Sequence, residues 1–327
     1  MADLDRRRLL QALAGGLAAG SLGALGIQSG CAILGQPKAR VSLLKAVDYD
    51  QDLSDVLYRG IADYPHVVAR AKGGRVVLKP NLVEVHAGRP INTHATLIAS
   101  AAEAFLRHGA GEVVVAEGPG HHRDTELLLE RSGLKALLKD VGCPFVDLNI
   151  DSPAKVQFLR NFTGLGSMQL ASTAVGADLL VSVAKLKTHH WVGCTLTMKN
   201  LFGTVPGSVY GWPKNPLHYA GIEQSIVDIW QGLAPGFGIV DGIVGMEGDG
   251  PIMGTAKQVG LVLMGDNLPA VDATAARVMG LDPHKIGYLR VASRLGGSLH
   301  TSRIELFHEA LEVHPFKVLP QFEHLRA

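Results

Sequence analysis

The alternation of two kinds of segment from residue 41 onward constrains the fold most. Short runs rich in β-branched residues alternate with longer amphipathic stretches, as in β-α-β units whose helices cover a parallel sheet. We therefore predict an α/β fold with largely parallel sheets flanked by helices. Strands are predicted at residues 41–47, 75–79, 112–117, 145–148, 178–183, 238–241 and 259–264. Helices are predicted at residues 53–70, 96–108, 125–141, 222–233, 270–279 and 284–295.

Composition limits what else the chain can be. Its 327 residues are enough for one large α/β domain or two smaller ones that share a cleft. The 31 Lys and Arg residues nearly balance the 30 Asp and Glu residues, and no basic run is longer than Arg6-Arg7-Arg8. Nucleic acid is therefore not expected as a partner. Three cysteines are too few for a four-thiolate zinc site or an iron–sulfur cluster built from this chain alone.

The first 31 residues have the character of an export leader. Arg6 and Arg7 stand before an uncharged, Gly- and Ala-rich stretch over residues 9–27, which is typical of a twin-arginine signal. The alternative is a membrane-spanning helix, because the stretch is about as long as the roughly 20 residues that cross a bilayer. Small residues precede Cys31, as in a lipoprotein cleavage box, although Gln28 replaces the usual leucine.

This leader predicts the localisation and the domain boundaries. We expect the twin-arginine translocase as a partner, and a mature protein in the periplasm or on the outer face of the cytoplasmic membrane. Contact with the membrane is expected only through the leader or a lipid on Cys31. The expected organisation is a signal peptide over 1–31, a linker over 32–40, an α/β region over 41–315 and a C-terminal tail over 316–327.

Lysines are concentrated after the strand predicted at 178–183. Ligands of parallel α/β sheets bind at the carboxyl ends of strands, and Lys185, Lys187 and Lys199 belong to a long irregular segment, 185–219. Clustered ammonium groups bind phosphate or carboxylate, whereas a solvated basic surface is the alternative. Lys199 has uncharged neighbours in sequence. Partial burial would lower its pKa and make it a nucleophile.

Other strand ends carry acidic and amide side chains. Asp241, Glu247 and Asp249 lie in a glycine-rich segment after the strand at 238–241 and could hold a hard cation or a ribose hydroxyl. An exposed glycine-rich turn is the alternative. Asn81, just after the strand at 75–79, is predicted to contact the same ligand or cofactor. No P-loop, dinucleotide fingerprint or Gly-x-Ser-x-Gly occurs, so triphosphate hydrolysis and serine-esterase chemistry are not expected.

Two pairs of neighbouring histidines also follow predicted strands. They are His121 with His122, and His189 with His190. Imidazole suits zinc, nickel, copper and iron, so the pairs are candidate metal ligands. The alternative is a structural role, in which each ring makes ordinary contacts.

Several long motifs resemble the prokaryotic family called Domain of Unknown Function 362. They are Val-Leu-Lys-Pro-Asn-Leu at 77–82, Ala-Asp-Leu-Leu-Val-Ser-Val-Ala-Lys-Leu-Lys-Thr-His at 177–189, Lys-Asn-Leu-Phe-Gly at 199–203 and the glycine-rich segment at 240–251. The resemblance extends from about residue 41 to residue 312. It implies little chemistry, because the family is named for its lack of an assigned activity. Some members add a ferredoxin-like segment, which the cysteine count excludes here.

A more distant resemblance, to the nickel-pincer lactate racemase family, rests on two motifs. Gly120-His121-His122-Arg123 is similar to that family's Gly-Thr-His-Arg turn. Ala-Asp-Leu-Leu-Val at 177–181, followed by His189 and ten residues later by Lys199, is similar to its cofactor motif. The resemblance implies a two-lobed fold with a cleft, His122 and His189 as paired acid–base residues, and Lys199 as the attachment point of a nucleotide-derived cofactor.

The same resemblance has departures that concern the metal. Residues 194–198 replace the glycines and serine that precede the family's lysine. No histidine stands at the spacing of the family's nickel ligand, so His218 and His190 are only nearby candidates. Nickel or another divalent metal is therefore expected as a cofactor on weaker grounds than the fold.

Two hypotheses of different classes follow. The first is an exported enzyme, a racemase, isomerase or oxidoreductase, that acts on a small hydroxy- or phospho-acid with a metal or nucleotide-derived cofactor in the cleft. The second is a non-catalytic envelope protein that binds an anionic ligand or a metal.

Overall fold

The computed structural model describes residues 38–86, 88–120, 124–212 and 214–327. The expected leader, Cys31 and most of the expected linker lie outside these residues, as do His121 and His122. The described residues form one compact unit. None of their helices is long and apolar enough to cross a membrane.

One sheet of nine strands runs through the described residues, in the order β11-β1-β10-β9-β7-β2-β3-β4, with β8 paired to β7. Its strands are β1 Ala39–Lys45, β2 Arg75–Pro80, β3 Glu112–Glu117, β4 Phe145–Asp147, β7 Leu179–His189, β8 Gly193–Thr195, β9 Phe237–Glu247, β10 Thr255–Gly265 and β11 Ile304–His308. Strands β9, β7, β2, β3 and β4 pair in parallel, whereas β10 is antiparallel to β1 and β9. A separate hairpin consists of β5 Pro153–Gln157 and β6 Ser167–Ala171.

Helices cover both faces of the sheet. They are α1 Leu53–Ala62, α2 Pro65–Ala71, α3 Ala95–Arg107, α4 Thr125–Arg131, α5 Leu134–Val141, α6 Ser172–Val175, α7 Thr197–Asn200, α8 Gly207–Tyr210, α9 Asn215–Tyr219, α10 Ile222–Leu233, α11 Leu268–Val278 and α12 Gly287–Ser293. Two predicted helices are each divided in two. Pro65 begins α2, since proline fits only the first turn, and Gly133 takes the left-handed conformation between α4 and α5.

The core consists of two apolar layers, one on each face of the sheet. Along β2, Val77 belongs to one layer and its neighbours Val76 and Leu78 belong to the other, because successive strand side chains point to opposite faces. Residues 316–327, the expected C-terminal tail, pack against the first layer through Phe316 and Leu325, which are both buried.

The α/β class with a mostly parallel sheet is confirmed. The site is not placed between two lobes, because the described residues surround a single sheet. Two strands are also longer than predicted: β7 continues to His189 and β9 continues to Glu247. The glycine-rich segment is therefore part of the sheet, and a Cβ on Gly245 would press on the Leu186 carbonyl of β7.

Candidate functional site

A cavity of about 280 Å³ lies where the carboxyl ends of β2, β3 and β7 come together. Strand β2 leads into it with Lys79 and Asn81, β3 ends there with Glu117, and β7 contributes Lys187 and His189. This is the edge at which α/β sheets bind ligands. The strand-end argument therefore placed the candidate site at the correct edge.

The described lining residues include four lysines but a single acidic residue, Glu117. Lys79 pairs with it: the ammonium lies 2.7 Å from the Glu117 carboxylate, and both side chains are buried. Lys79 also donates to the backbone oxygen of Asn200 at 2.5 Å and to its side-chain oxygen at 2.9 Å. All three ammonium protons of Lys79 therefore have acceptors within the protein. The remaining lysines are Lys187, Lys199 and Lys214.

Lys187 and Lys214 are buried beside backbone carbonyls rather than carboxylates. Lys187 Nζ donates to the carbonyls of Ile91 at 2.7 Å and Pro251 at 3.3 Å, and Lys214 Nζ donates to the carbonyl of Gly118 at 3.1 Å. Burial, reinforced by the neighbouring lysines, holds the pKa of Lys187 well below its ordinary value. Burial also lowers the pKa of Lys214 to about 7. Both side chains therefore gain from a negative charge placed in the cavity.

Lys199 is the half-buried lysine of the cavity. Its Nζ lies 4.3 Å from the centre of the Phe202 ring. Burial, and then the positive charges of Lys79 and Lys214, lower the pKa of Lys199 to about 7. A large fraction of this amine is therefore uncharged near neutral pH, and an uncharged amine is a base and a nucleophile.

The short helix α7 that carries Lys199 is held from below by Asp272 of α11. The buried Asp272 carboxylate accepts hydrogen bonds from the backbone N–H groups of Thr197 at 2.8 Å and Met198 at 3.0 Å, and from the Thr197 hydroxyl at 2.5 Å. Burial raises the pKa of Asp272 to about 7 even though these bonds oppose the shift. Asp272 therefore positions the turn from which Lys199 reaches the cavity.

His189 is a hydrogen-bond donor in this arrangement. Its Nδ1 accepts the backbone N–H of Trp191 at 3.1 Å, which assigns the proton of the neutral ring to Nε2. Burial and the charge of Lys199 hold the pKa of His189 well below its usual value. In this tautomer Nε2 has no lone pair with which to accept a proton. The expected partner in acid–base chemistry, His122, lies outside the described residues.

The two candidate metal ligands, His190 and His218, flank Trp191 at the mouth of the cavity. Their ring centres lie 4.8 and 4.7 Å from the Trp191 ring. Among residues 38–86, 88–120, 124–212 and 214–327, no three His, Cys, Asp or Glu side chains are grouped so as to hold a metal ion. The described donor set does not fit a metal centre, and no chemical step below involves one.

Two polar atoms in the cavity wall are buried without a hydrogen-bond partner. They are the side-chain oxygens Asn81 Oδ1 and Thr195 Oγ1. Leaving such a group unsatisfied costs about 1 to 3 kcal/mol, so native proteins rarely do so without a reason. A ligand that offers a donor to these oxygens would remove the cost.

Lys185 and Asp241, both predicted to bind the ligand, bind each other instead. The Lys185 ammonium lies 2.9 Å from the Asp241 carboxylate, and both side chains are buried. Tyr49 accepts a hydrogen bond from Lys185 at 2.9 Å and donates one to Asp241 at 2.9 Å. The backbone N–H of His94 also donates to Asp241 at 2.9 Å. These groups, which we call the Lys185–Asp241 cluster, do not line the cavity.

The other two predicted acidic ligands are also placed elsewhere. Glu247 is buried, and its carboxylate accepts the backbone N–H of Lys317 at 3.0 Å. Asp249 is exposed, and its carboxylate lies 3.9 Å from His190. The three acidic residues therefore do not converge on one cation or ribose.

The sequence gave no reason to select Lys214 or Thr195. Lys214 follows a proline in an irregular stretch and has the left-handed backbone conformation, with φ 67°. Thr195 is an uncharged residue of the short strand β8. Glu117 could have been found as the partner of Lys79, because each residue stands at the carboxyl end of one of two adjacent parallel strands.

A family model described as "Domain of unknown function (DUF362)" matches residues 76–277, which include most of the cavity. The Thylakoid-associated protein of Synechocystis sp. is 28% identical over 230 residues, which make up 68% of each chain. Among solved structures, the lactate racemase apoprotein from Thermoanaerobacterium thermosaccharolyticum is 14% identical, with a TM-score of 0.41 over 68% of this chain and 54% of that one. A protein from Thermotoga maritima is 13% identical, with a TM-score of 0.35 over 64% and 55% of the two chains.

The chain thus spans about half the length of each of these two structures. Both TM-scores are low, and nothing about the chemistry of this chain follows from them.

Proposed function

We propose, from the premise that the chain belongs to the Domain of unknown function (DUF362) family, that it is an enzyme acting on a small hydroxy- or phospho-acid. The acid is bound in the cavity by its negative charge. The observation that supports this proposal is the presence of three lysines, Lys187, Lys199 and Lys214, that face one cavity without a carboxylate partner among the described residues.

Charge balance argues for an anion. The cavity has four lysines and one glutamate among its described lining residues, and that glutamate is occupied by Lys79. Buried ammonium groups without a counter-charge are costly, which is why their pKa values are lowered. A carboxylate or phosphate would supply the missing charge and accept the ammonium protons that the backbone carbonyls leave over.

The orphaned oxygens argue that the anion also carries a hydroxyl group. Asn81 Oδ1 can only accept a hydrogen bond, so it needs a donor from the ligand. The Thr195 hydroxyl can donate to or accept from the same group. A simple inorganic anion would leave Asn81 unsatisfied, whereas a hydroxy-acid or a phosphorylated alcohol would satisfy it.

The chemistry is assigned to Lys199 and His189. An uncharged Lys199 can take a proton from, or bond to, a carbon next to the bound acid group. The Nε2–H of His189 can donate to an oxygen on that carbon and stabilise negative charge that develops there. This division of roles differs from the paired-histidine mechanism that the resemblance to lactate racemases implies.

Calorimetry tests the binding part of the proposal. Glycolate and 2-phosphoglycolate should bind the purified protein, whereas uncharged ethylene glycol should not. Replacing Lys214 with Met should weaken binding of the acids by about 10- to 100-fold, the usual value of a hydrogen bond to a charged group. Equal affinity in wild type and K214M would contradict the proposed site. Binding without conversion of any hydroxy- or phospho-acid would identify a binding protein instead of an enzyme.

We propose further that the chain is exported and held at a membrane face. The support is the paired arginines and the cysteine of the leader, together with a relative named as thylakoid-associated. Fusing residues 1–31 to a folded reporter tests this directly. Export should be lost when Arg6 and Arg7 are both changed to Lys, and membrane retention should be lost in Cys31→Ser. Retention of the reporter in the cytoplasm with the intact leader would contradict the proposal.

A further inference from the structure

Lys199 differs from the other lysines of the cavity in its contacts. The ammonium groups of Lys79, Lys187 and Lys214 each donate to oxygens of the protein. Among the described residues, no oxygen accepts a hydrogen bond from Lys199 Nζ, which lies over the Phe202 ring. The nitrogen lone pair of an uncharged Lys199 is therefore not occupied by a hydrogen bond or a salt bridge within the protein.

The surroundings favour the uncharged amine. The positive charges of Lys79 and Lys214 oppose a proton on Lys199, while the nearest acid, Glu117, is bound to Lys79. A lysine desolvated beside other cations is the usual setting of an amine that attacks carbonyl carbon. The helix α7 beneath it is fixed by Asp272, so the amine is attached to a rigid support.

Two hydrogen-bonding groups in the cavity wall complete the arrangement. The Nε2–H of His189 can donate to a carbonyl oxygen, and the Thr195 hydroxyl has no partner within the protein. The cavity therefore combines an amine nucleophile, donors for a carbonyl oxygen and positive charge for an acid group.

We propose that Lys199 forms a Schiff base with the carbonyl carbon of a small acid that carries both a carbonyl group and a carboxylate or phosphate. This inference rests on the proposed function and names its substrate class more closely: the hydroxy-acid is the reduced or hydrated counterpart of such an oxo-acid. Lys199 Nζ bonds to the carbonyl carbon to give a carbinolamine. The C–O bond then breaks, both amine protons leave with the oxygen as water, and an imine remains. Addition of water reverses the step without any oxidant or reductant.

Borohydride trapping of the full-length protein tests the inference. The protein is incubated with pyruvate, glyoxylate or dihydroxyacetone phosphate at about pH 8, where most of Lys199 is uncharged. Sodium borohydride then reduces any imine to a stable secondary amine. Intact mass should show one adduct per chain with at least one of the three acids, and peptide mapping should place the adduct on Lys199.

Matched variants make the result specific. Lys199→Arg should lose the adduct, whereas Lys317→Arg should retain it, because Lys317 is a surface residue with 82% of its side chain exposed. The mapped wild-type adduct decides the question even if K199R fails to fold. No adduct on Lys199 with any of the three acids, in protein that still binds glycolate or 2-phosphoglycolate, would overturn the inference and leave the proposed function standing. Loss of acid binding as well would overturn both.

Discussion

Strand β7 carries two buried lysines, Lys185 and Lys187, whose surroundings differ. Lys185 belongs to a closed cluster in which Asp241 balances its charge and Tyr49 bridges the pair. Lys187 stands two residues further along and has only backbone carbonyls as acceptors among the described residues. The parallel pairing of β7 with β9 changes register between them, so Lys185 lies opposite Asp241 and Lys187 lies opposite Met246.

The difference separates structure from ligand binding. A buried ammonium with a carboxylate and a hydroxyl at hydrogen-bond distance is satisfied in the empty protein and requires nothing more. A buried ammonium without a carboxylate is stable only at the cost of a lowered pKa, and a bound anion removes that cost. We therefore interpret the Lys185–Asp241 cluster as a structural brace and the cavity lysines as the ligand site.

The largest effect is expected from breaking the brace. Asp241→Ala leaves Lys185 buried without its counter-charge and should lower the free energy of unfolding by about 3 to 5 kcal/mol. Urea unfolding followed by circular dichroism measures the change. Asp249→Ala is the control, because Asp249 is exposed and its loss should cost less than about 0.5 kcal/mol. Equal stability of the two variants would show that the cluster is not a brace.

The second prediction compares the two lysines of β7 directly. Lys187→Met should lose less stability than Lys185→Met, since only the latter leaves a buried carboxylate, Asp241, without its partner. Binding should change in the opposite sense: K187M should bind 2-phosphoglycolate about 10- to 100-fold more weakly than wild type. The same loss of stability in both variants, with unchanged binding in K187M, would remove the distinction between the two lysines.

The third prediction concerns pH. The pKa of Lys199 is lowered to about 7 in the folded protein, whereas in the unfolded chain it has its ordinary value of about 10.4. Between these values the unfolded chain binds more protons, so this group makes stability increase with pH. Lys199→Met should reduce the gain in unfolding free energy from about pH 7 to pH 9.5 by about 1 to 2 kcal/mol, allowing for solvent in the cavity. An identical pH slope in wild type and K199M would contradict the lowered pKa.

The smallest effect is expected at the orphaned hydroxyl of Thr195. Thr195→Val removes a buried group that has no partner, so the unfolding free energy should change by less than about 0.5 kcal/mol or increase slightly. Thr197→Val is the matched control: its hydroxyl donates to Asp272, and its loss should cost about 1 to 3 kcal/mol. If T195V were as destabilising as T197V, the Thr195 hydroxyl would have a partner within the protein.

Much of the fold follows from local pattern. All seven predicted strands are present, because runs of β-branched residues and the helices between them depend on short-range periodicity. Strands β7 and β9 were cut short because Lys185, Lys187 and Asp241 look like surface residues in sequence. They are buried because their charges are balanced or shielded by partners far away along the chain.

The site was predictable only in part. Its location at the strand ends, and the choice of Lys187, His189, Lys199 and Asn81, followed from the sequence because parallel strands place their carboxyl ends together. Which of the lysines lacks a carboxylate depends on a register shift between β7 and β9, and that shift leaves no local signal. The absence of partners for Thr195 and Asn81 is likewise a property of the folded packing alone.

Proton uptake on binding tests the central claim most directly. The account states that an anion restores the protons of cavity lysines whose pKa values are about 7 in the empty protein. Titrating 2-phosphoglycolate by calorimetry at about pH 8, in two buffers of different ionisation enthalpy, measures the protons taken up with each ligand bound. We predict uptake of at least half a proton, reduced in K214M. Binding without any proton uptake, or no binding, would contradict the account.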